Sequence, residues 1–220
     1  MPAFPEHRRE PEARQGFITT EQHQAIRTYL RAHEDGAAYA DALDLSMLTG
    51  WRKGQTLHLR WENVHKDEIR VAGDVTKNEA SHVIPIVPAL AEIIERRRAA
   101  RVVGSAWVFC RKDGSRIGDF EKAWKSATKA AGCEGVLYHD SRRSGVRNLT
   151  IAGVPQSVAM KISGHKTDAV FRRYNIVTTS DMRKALEAVS ADSIAAKVAP
   201  QKRPQKGPKG RVVAMGGRRK

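Results

Sequence analysis

The sequence contains few of the residues that build disulfide frameworks, metal centres or membrane spans. Its 220 residues include two cysteines, Cys110 and Cys133, which are too few for a disulfide framework and typical of a reduced cytoplasmic chain. No metal-binding motif and no glycine-rich phosphate-binding loop is present, so we expect neither a metal ion nor a nucleotide cofactor. No apolar run reaches the length of a membrane span, and the N-terminus lacks the apolar stretch of a signal peptide.

Acidic residues are scarce relative to basic ones. The chain has 39 Lys and Arg against 24 Asp and Glu, a formal net charge of +15. Such a surplus favours a polyanionic partner, nucleic acid first and an anionic membrane surface second. Nine basic residues and no acidic residue lie in 197–220, which leaves +6 of the +15 for residues 1–196. If the partner is a nucleic acid, we expect this tail to add affinity without sequence preference.

The distribution of turn-forming and apolar residues predicts one folded domain between two disordered ends. Prolines among mixed charges indicate a disordered leader over residues 1–16, and prolines and glycines among basic residues indicate a disordered tail over residues 197–220. The domain between them, residues 17–196, has the composition of a globular protein, because the whole chain is 40% hydrophobic and 29% charged.

Within this domain most segments show helical patterning. Thr19–Gln22 is a capping-box signal for a helix that extends to about His33. Apolar spacing bounded by glycine and proline predicts further helices near residues 37–48, 53–59, 89–101, 119–131, 140–152, 155–164, 167–174 and 180–196.

Three short segments have strand character instead. Glu68–Val75 and Ser81–Ile86 are rich in Val and Ile and flank a polar turn, which predicts a β-hairpin. Trp107–Cys110 is a short apolar run and predicts a third strand. The expected fold class is therefore mainly α with a small three-stranded antiparallel β-sheet (α+β).

Several polar residues could carry chemistry, although each taken alone also has an ordinary structural explanation. His139 and Arg142 stand three apart at a helix start, an arrangement that suits an anion but also describes a solvated basic helix end. His165 follows a helix-ending Gly164, and Tyr174 comes nine residues later. A lone tyrosine is usually a packed aromatic, but nearby cations favour its phenolate form, which could attack phosphorus. Arg52 in a turn and Lys77 on a hairpin are ordinarily surface residues.

Taken together and in order, these elements resemble the signature of the tyrosine recombinases, the phage-integrase family. That signature has an arginine in a T-G-x-R turn, a lysine on a β-hairpin, an H-x-x-R pair, a G-H pair, and a tyrosine about nine residues later. The resemblance covers about Phe17–Val189 and includes the segments LRWENV, TKNEASHVIPI, HDSRRS and AGVPQSVAMKISGHKTDAVFRRYNIV. It implies a tyrosine-recombinase catalytic-domain fold and a catalytic set of Arg52, Lys77, His139, Arg142, His165 and Tyr174.

The resemblance also implies a mechanism. Tyr174 would attack a DNA phosphodiester, forming a 3′-phosphotyrosyl link and freeing a 5′-hydroxyl, with His139 as its base. Arg52 and Arg142 would hold the non-bridging oxygens, His165 would hydrogen-bond the phosphate, and Lys77 would protonate the leaving oxygen. Neither metal nor ATP would be needed. The implied partners are double-stranded DNA and three further copies in a homo-tetramer, in the nucleoid-associated cytoplasm, as for a phage or mobile-element integrase.

The sequence departs from the family in two respects. An acidic residue often follows the first arginine, in R-x-[GS]-[ED], whereas this chain has Gln55, which we expect to orient Arg52 less firmly. Members usually carry an N-terminal helical DNA-binding domain, whereas about sixteen residues precede the first predicted helix here. A separate DNA-bending or clamp protein is therefore an expected partner.

Three other functions stay open on the sequence alone. The chain could be a truncated DNA-binding remnant or regulator without efficient catalysis, or a type IB topoisomerase-like enzyme, which shares the same set of side chains but acts without a tetramer. A basic protein that binds membranes or RNA would explain the tail but not the ordered motifs.

Overall fold

The computed structural model describes residues 16–71, 82–174 and 179–198. It divides into two compact units, Met1–Val177 and Thr178–Lys220. In the described part of the first unit the elements are α1 Thr20–Arg31, α2 Gly36–Thr49, α3 Lys53–Leu57, a 3-10 turn at Trp61–Asn63, β1 Glu68–Val71, β2 His82–Pro85, α4 Pro88–Ala99, α5 Glu121–Ala130, α6 Asp140–Ile151, α7 Gln156–Ser163 and α8 Asp168–Arg172; the second unit contributes α9 Thr179–Val198. Every predicted helix is found, within a few residues of its expected bounds.

Helix α2 lies at the centre of the first unit. It contacts α1, α3, α4 and α6, and nearly all of its residues are buried. Helix α1 begins as predicted, because Thr19 Oγ1 accepts a hydrogen bond from Gln22 N at 3.2 Å and Thr19 N donates to Gln22 Oε1 at 3.0 Å. Its apolar face buries Ile26 and Leu30 in the core. The unit is thus built around one apolar helix, to which the neighbouring helices dock.

Two buried carboxylates on α2 bind the flanking helices through charge. Asp41 pairs with Arg31 of α1 at 2.7 Å and with Arg96 of α4 at 2.8 Å, and Asp44 pairs with His23 of α1 at 2.8 Å. Buried carboxylates are tolerated only when they are paired in this way. The pairs therefore fix how α1 and α4 sit on the central helix.

The β-sheet has two strands in the described part of the chain, not the expected three. β1 and β2 are antiparallel, with Ile69 opposite Ile84 and both side chains buried. The prediction of a third strand at Trp107–Cys110 is wrong, because Trp107 forms only an isolated bridge with Arg60. The chain enters the 3-10 turn directly after Arg60, so the ladder cannot extend. The turn that carries Lys77 lies outside the described residues.

The second unit is described through α9 alone. Apolar side chains of this helix are largely exposed within the described residues, Met182 by 51% and Leu186 by 71%. Among the helices that the structure describes, none is both long enough and apolar enough to cross a membrane.

Candidate active site

Arg142 is the most enclosed of the predicted site residues that the structure describes. It lies in the first turn of α6 with 1% of its surface exposed. Its Nη1 donates to Gly50 O at 2.6 Å and to Ser163 O at 2.7 Å, and its Nη2 donates to His165 Nε2 at 2.7 Å. Two main-chain carbonyls and one imidazole therefore fix the guanidinium in a single orientation.

A close approach of two glycines makes this arrangement possible. A Cβ atom on Gly145 of α6 would lie 2.7 Å from Gly50 Cα, nearer than real Cβ atoms come to backbone. Gly50 ends α2 with φ 72°, a conformation that residues with a side chain rarely adopt. Only two residues without side chains allow α6 to bring Arg142 against the carbonyl of this turn.

The same turn directs Arg52 outward. Trp51 is fully buried, and its Nε1 donates to Ile162 O at 2.9 Å. The next residue, Arg52, is exposed at the start of α3 and makes no capping hydrogen bond. Its charge nevertheless acts on His139, Arg142 and His165, which places it at the edge of the same site.

Tyr174 meets the predicted base directly. His139, at the start of α6, has its Nε2 3.1 Å from the hydroxyl oxygen of Tyr174. The guanidinium carbon of Arg142 lies 5.3 Å from the centre of the tyrosine ring, and the ring of His165 lies 5.0 Å from it. Three residues that precede Tyr174 by 9 to 35 positions in sequence thus converge on its phenol.

Tyr138, the other tyrosine near the H-x-x-R pair, is arranged differently. It is buried against Phe120 and Trp124, and its hydroxyl oxygen lies 3.0 Å from Ser46 Oγ. Burial raises its pKa above the ordinary value for tyrosine. Tyr138 is therefore a core residue, which argues against it as a nucleophile.

The electrostatics of the site favour neutral histidines beside charged arginines. Burial and then the charge of Arg142 lower the pKa of His139, and the same two causes lower the pKa of His165 to about 3. Burial and the charge of Arg52 lower the pKa of Arg142 to about 10, which leaves it protonated at neutral pH. A neutral His139 is able to accept the proton of Tyr174.

Gln55, the departure from the family pattern, is engaged elsewhere. Its Nε2 lies 2.7 Å from His82 Nδ1. The Nε2 of His82 hydrogen-bonds the carbonyl oxygen of Lys161 near the end of α7, and burial lowers the pKa of this histidine. The Gln55 amide thus contacts the first residue of β2, which pairs with Val71 at the end of β1. No hydrogen bond or ion pair joins Arg52 to another described side chain.

The sequence-predicted set is brought together in large part. His139 and His165 each contact Tyr174, and Arg142 is hydrogen-bonded to His165. Arg52 stands beside them, and Lys77 lies outside the described residues. Two residues at the site were missed by sequence analysis, His82 and Ser163. Ser163 directly precedes the G-H pair, so a hydroxyl two positions before a histidine was an available signal. His82 had none, because its partners Gln55 and Lys161 are distant in sequence.

A family model described as the phage integrase family matches residues 16–181. The chain belongs to the phage integrase family. The resemblance drawn from its motifs is thereby confirmed, and the structure has the expected mainly helical architecture with a small antiparallel sheet.

Similar proteins of known identity are also integrases and recombinases. The integrase of Salmonella phage P22 is 26% identical over 146 residues, which is 60% of this chain and 37% of that protein. A λ integrase dimer bound to a COC′ core site has TM-score 0.63 and 17% identity, covering 76% of this chain and 49% of that one. XerA recombinase has TM-score 0.63 and 16% identity, covering 87% and 66%. The chain thus spans less than half the length of P22 and λ integrases, and the two structures show a shared fold.

Proposed function

We propose that this chain is the catalytic domain of a site-specific DNA recombinase of integrase type, which cuts and rejoins DNA through a 3′-phosphotyrosyl intermediate. The observation that carries the proposal is the 3.1 Å approach of His139 Nε2 to the Tyr174 hydroxyl, with the Arg142 guanidinium 5.3 Å from the same ring. A nucleophile, its base and a fixed cation are what attack on a phosphodiester requires.

In the proposed reaction the oxygen of Tyr174 forms a bond to phosphorus as the bond from phosphorus to the 5′-oxygen breaks. His139 takes the phenolic proton, which its neutral state allows. The departing 5′-oxygen takes a proton from Lys77. Attack by a 5′-hydroxyl on the phosphotyrosine reverses these steps and joins the strands. The covalent link retains the energy of the broken bond, so the cycle needs no ATP.

Arg142 is suited to stabilise the charge that develops on the phosphate. A guanidinium has five N–H groups, and three of them are committed to Gly50, Ser163 and His165. Its Nε is buried and has no hydrogen-bond partner within the described residues. A phosphate oxygen that reached this N–H group would supply its missing acceptor. With Arg52 as a second guanidinium, the positive charge is supplied without a metal ion.

The proposed partner is double-stranded DNA, and the proposed assembly is a homo-tetramer on it. Recombination of two duplexes requires four strand cuts, and each chain offers one Tyr174. A λ integrase tetramer bound to a Holliday junction is an example of such an assembly on DNA in a relative. The net charge of +15 favours a DNA partner.

The test uses a duplex nicked so that the 5′ fragment released by cleavage diffuses away and religation fails. A protein–DNA adduct that resists denaturant and is attached through a 3′-phosphate should accumulate, at high protein concentration because the chain spans only part of its relatives. Tyr174→Phe should abolish the adduct and retain DNA binding, since only the hydroxyl is lost. Tyr138→Phe, which removes a buried hydroxyl outside the site, should retain both.

Two outcomes would contradict the proposal. An adduct that persists in Tyr174→Phe would show that another residue is the nucleophile. DNA binding without any adduct from the wild-type chain would favour a DNA-binding remnant without efficient catalysis.

A further inference from the structure

A chain of hydrogen bonds runs behind Arg142. His165 Nε2 lies 2.7 Å from Arg142 Nη2, and His165 Nδ1 lies 2.7 Å from Ser163 Oγ. Ser163 Oγ also lies 2.7 Å from Ala159 O, one turn earlier in α7. Ser163 and Arg142 are almost fully buried, and 6% of His165 is exposed.

The position of every hydrogen in this chain follows from one chemical fact. A guanidinium nitrogen can only donate, so His165 Nε2 must accept. The pKa of His165, lowered to about 3 by burial and by Arg142, makes the ring neutral, with one N–H. That hydrogen is on Nδ1, and Ser163 Oγ accepts it. The hydrogen of Ser163 is then directed to Ala159 O, and each donor has an acceptor.

We propose that Ser163 is a positioning residue, whose hydroxyl sets the tautomer of His165 and through it the orientation of Arg142. The inference deepens the proposed recombinase function and rests on it for its effect on cleavage. In the DNA-free protein, Ser163 holds His165 with the proton on Nδ1. The lone pair of Nε2 then faces Arg142 and fixes its Nη2 group.

A hydroxyl suits this position because it can also serve the opposite tautomer. When a phosphate takes over the N–H groups of Arg142, His165 can offer it a hydrogen bond only with the proton on Nε2. That change removes a proton from Nδ1 to water and places one from water on Nε2, so the charge of the ring is unchanged. Ser163 then turns its O–H from Ala159 O to Nδ1. A carbonyl at this place could accept but never donate.

Removal of the hydroxyl leaves both tautomers poorly paired. In Ser163→Ala, the Nδ1–H tautomer has a buried donor that has lost its acceptor. The Nε2–H tautomer places its hydrogen against an N–H of Arg142. With neither state preferred, the imidazole no longer holds Arg142 in one orientation.

The direct test is ¹⁵N NMR of the full chain with labelled histidine, without DNA, at neutral pH. The His165 resonances are assigned by their loss in His165→Gln. The wild type should show a directly bonded hydrogen on Nδ1 and an unprotonated Nε2. In Ser163→Ala the two ring resonances should move towards each other, because the tautomers now exchange. Ser163→Thr, which keeps the hydroxyl, should retain the wild-type signature, and so should Ser157→Ala, an exposed serine of the same helix.

The second readout is single-turnover cleavage of the nicked duplex. Ser163→Ala should cleave about 10- to 100-fold more slowly, by analogy with the loss seen when the hydrogen-bond partner of a metal-ligating side chain is removed. DNA binding should be unchanged, and Ser163→Thr should cleave within a few-fold of wild type.

A proton on Nε2 in the wild type, or an unaltered tautomer in Ser163→Ala, would overturn the proposal. If Ser163→Ala alters the tautomer of His165 but cleaves at the wild-type rate, the tautomer does not control the orientation of Arg142. The NMR result needs no cleavage, so failure of the proposed recombinase function would be seen separately.

Discussion

The two arginines proposed to hold the same phosphate occupy opposite environments. Arg142 is almost completely buried, and its guanidinium is hydrogen-bonded to two main-chain carbonyls and an imidazole. Arg52 is exposed and makes no capping hydrogen bond. One donor is fixed before DNA arrives, whereas the other must be ordered by the phosphate itself. Identical side chains therefore contribute differently, one through preorganisation and one through mobile charge.

The contrast extends to folding. Arg142 joins α6 to the turn after α2 and to the end of α7, so it belongs to the packing of the domain as well as to the site. Arg52 projects from the same turn without such bonds. Changes at Arg142 should affect stability and cleavage together, while changes at Arg52 should affect cleavage alone.

Replacement of Arg142 by Lys should have the largest effect. An ammonium cannot pair with two carbonyls, an imidazole and a phosphate in the geometry of a planar guanidinium. Cleavage should fall by about two to three orders of magnitude, as when one oxyanion donor is lost. The free energy of unfolding should fall by about 1–3 kcal/mol, because a buried carbonyl loses its donor. DNA binding should change little. Near wild-type cleavage in single-turnover assays would remove Arg142 from the site.

Gly145→Ala should disturb the same arginine without touching it. The added methyl group would meet the backbone of Gly50 at 2.7 Å, so α6 must shift. Overpacking of this kind costs about 1–3 kcal/mol of stability, and cleavage should fall with it as Arg142 leaves the Gly50 carbonyl. Gly118→Ala is the matched control, since nothing lies within 4 Å of its added methyl. Equal denaturation midpoints for the two variants would contradict this account.

Arg52→Lys should have a smaller effect on cleavage and stability than Arg142→Lys. The ammonium keeps its charge near the phosphate and loses one charge-assisted hydrogen bond, worth about 1.5–3 kcal/mol, so cleavage should fall about 10- to 100-fold. Stability should stay within about 0.5 kcal/mol of wild type, as for most surface substitutions. The contrast between the buried and the exposed arginine is tested by measuring the free energy of unfolding and the cleavage rate of this variant and of Arg142→Lys. A large loss of stability here would show that Arg52 is also structural.

The smallest effect concerns pH. Burial, Arg142 and, to a lesser degree, Arg52 lower the pKa of His139, so it remains an unprotonated base below the ordinary imidazole value of about 6.5. Cleavage should be constant from about pH 8 to 6.5 and fall only at lower pH. Arg52→Gln should slightly raise the pH below which cleavage falls. Arg60 is exposed and is not among the charges that act on His139, so Arg60→Gln should leave that pH unchanged. An acid limb at or above 6.5 in the wild type would contradict the proposed environment of His139.

Local patterns in the sequence predicted the local structure well. The capping box at Thr19, the glycine that ends α2 and the spacing of His139 and Arg142 each depend on a few neighbouring residues, and the structure contains all three features. The order of the motifs also identified residues that converge on Tyr174. Such features are short-range or belong to a family signature, which is why they can be predicted from the sequence alone.

Long-range contacts were not predictable in this way. The sequence allowed Arg142 to be a solvated residue at a helix start, but it is buried because Gly145 and Gly50, 95 positions apart, pack backbone to backbone. The third strand failed because its partner, Arg60, enters a turn. Hydrophobic periodicity reports which face of an element is buried and not which distant residue lies against it.

The burial of Arg142 bears on how a gene of this kind would decay. A copy under selection only to remain folded, for instance as a DNA-binding regulator, would tend to keep Arg142, because its loss destabilises the fold as well as slowing strand cleavage. Arg52 and the hydroxyl of Tyr174 have no such protection. Among degenerate copies we therefore expect Arg52 and Tyr174 to be lost first. An intact Arg142 reports that the protein still folds, and an intact Arg52 reports that strand cleavage is still under selection.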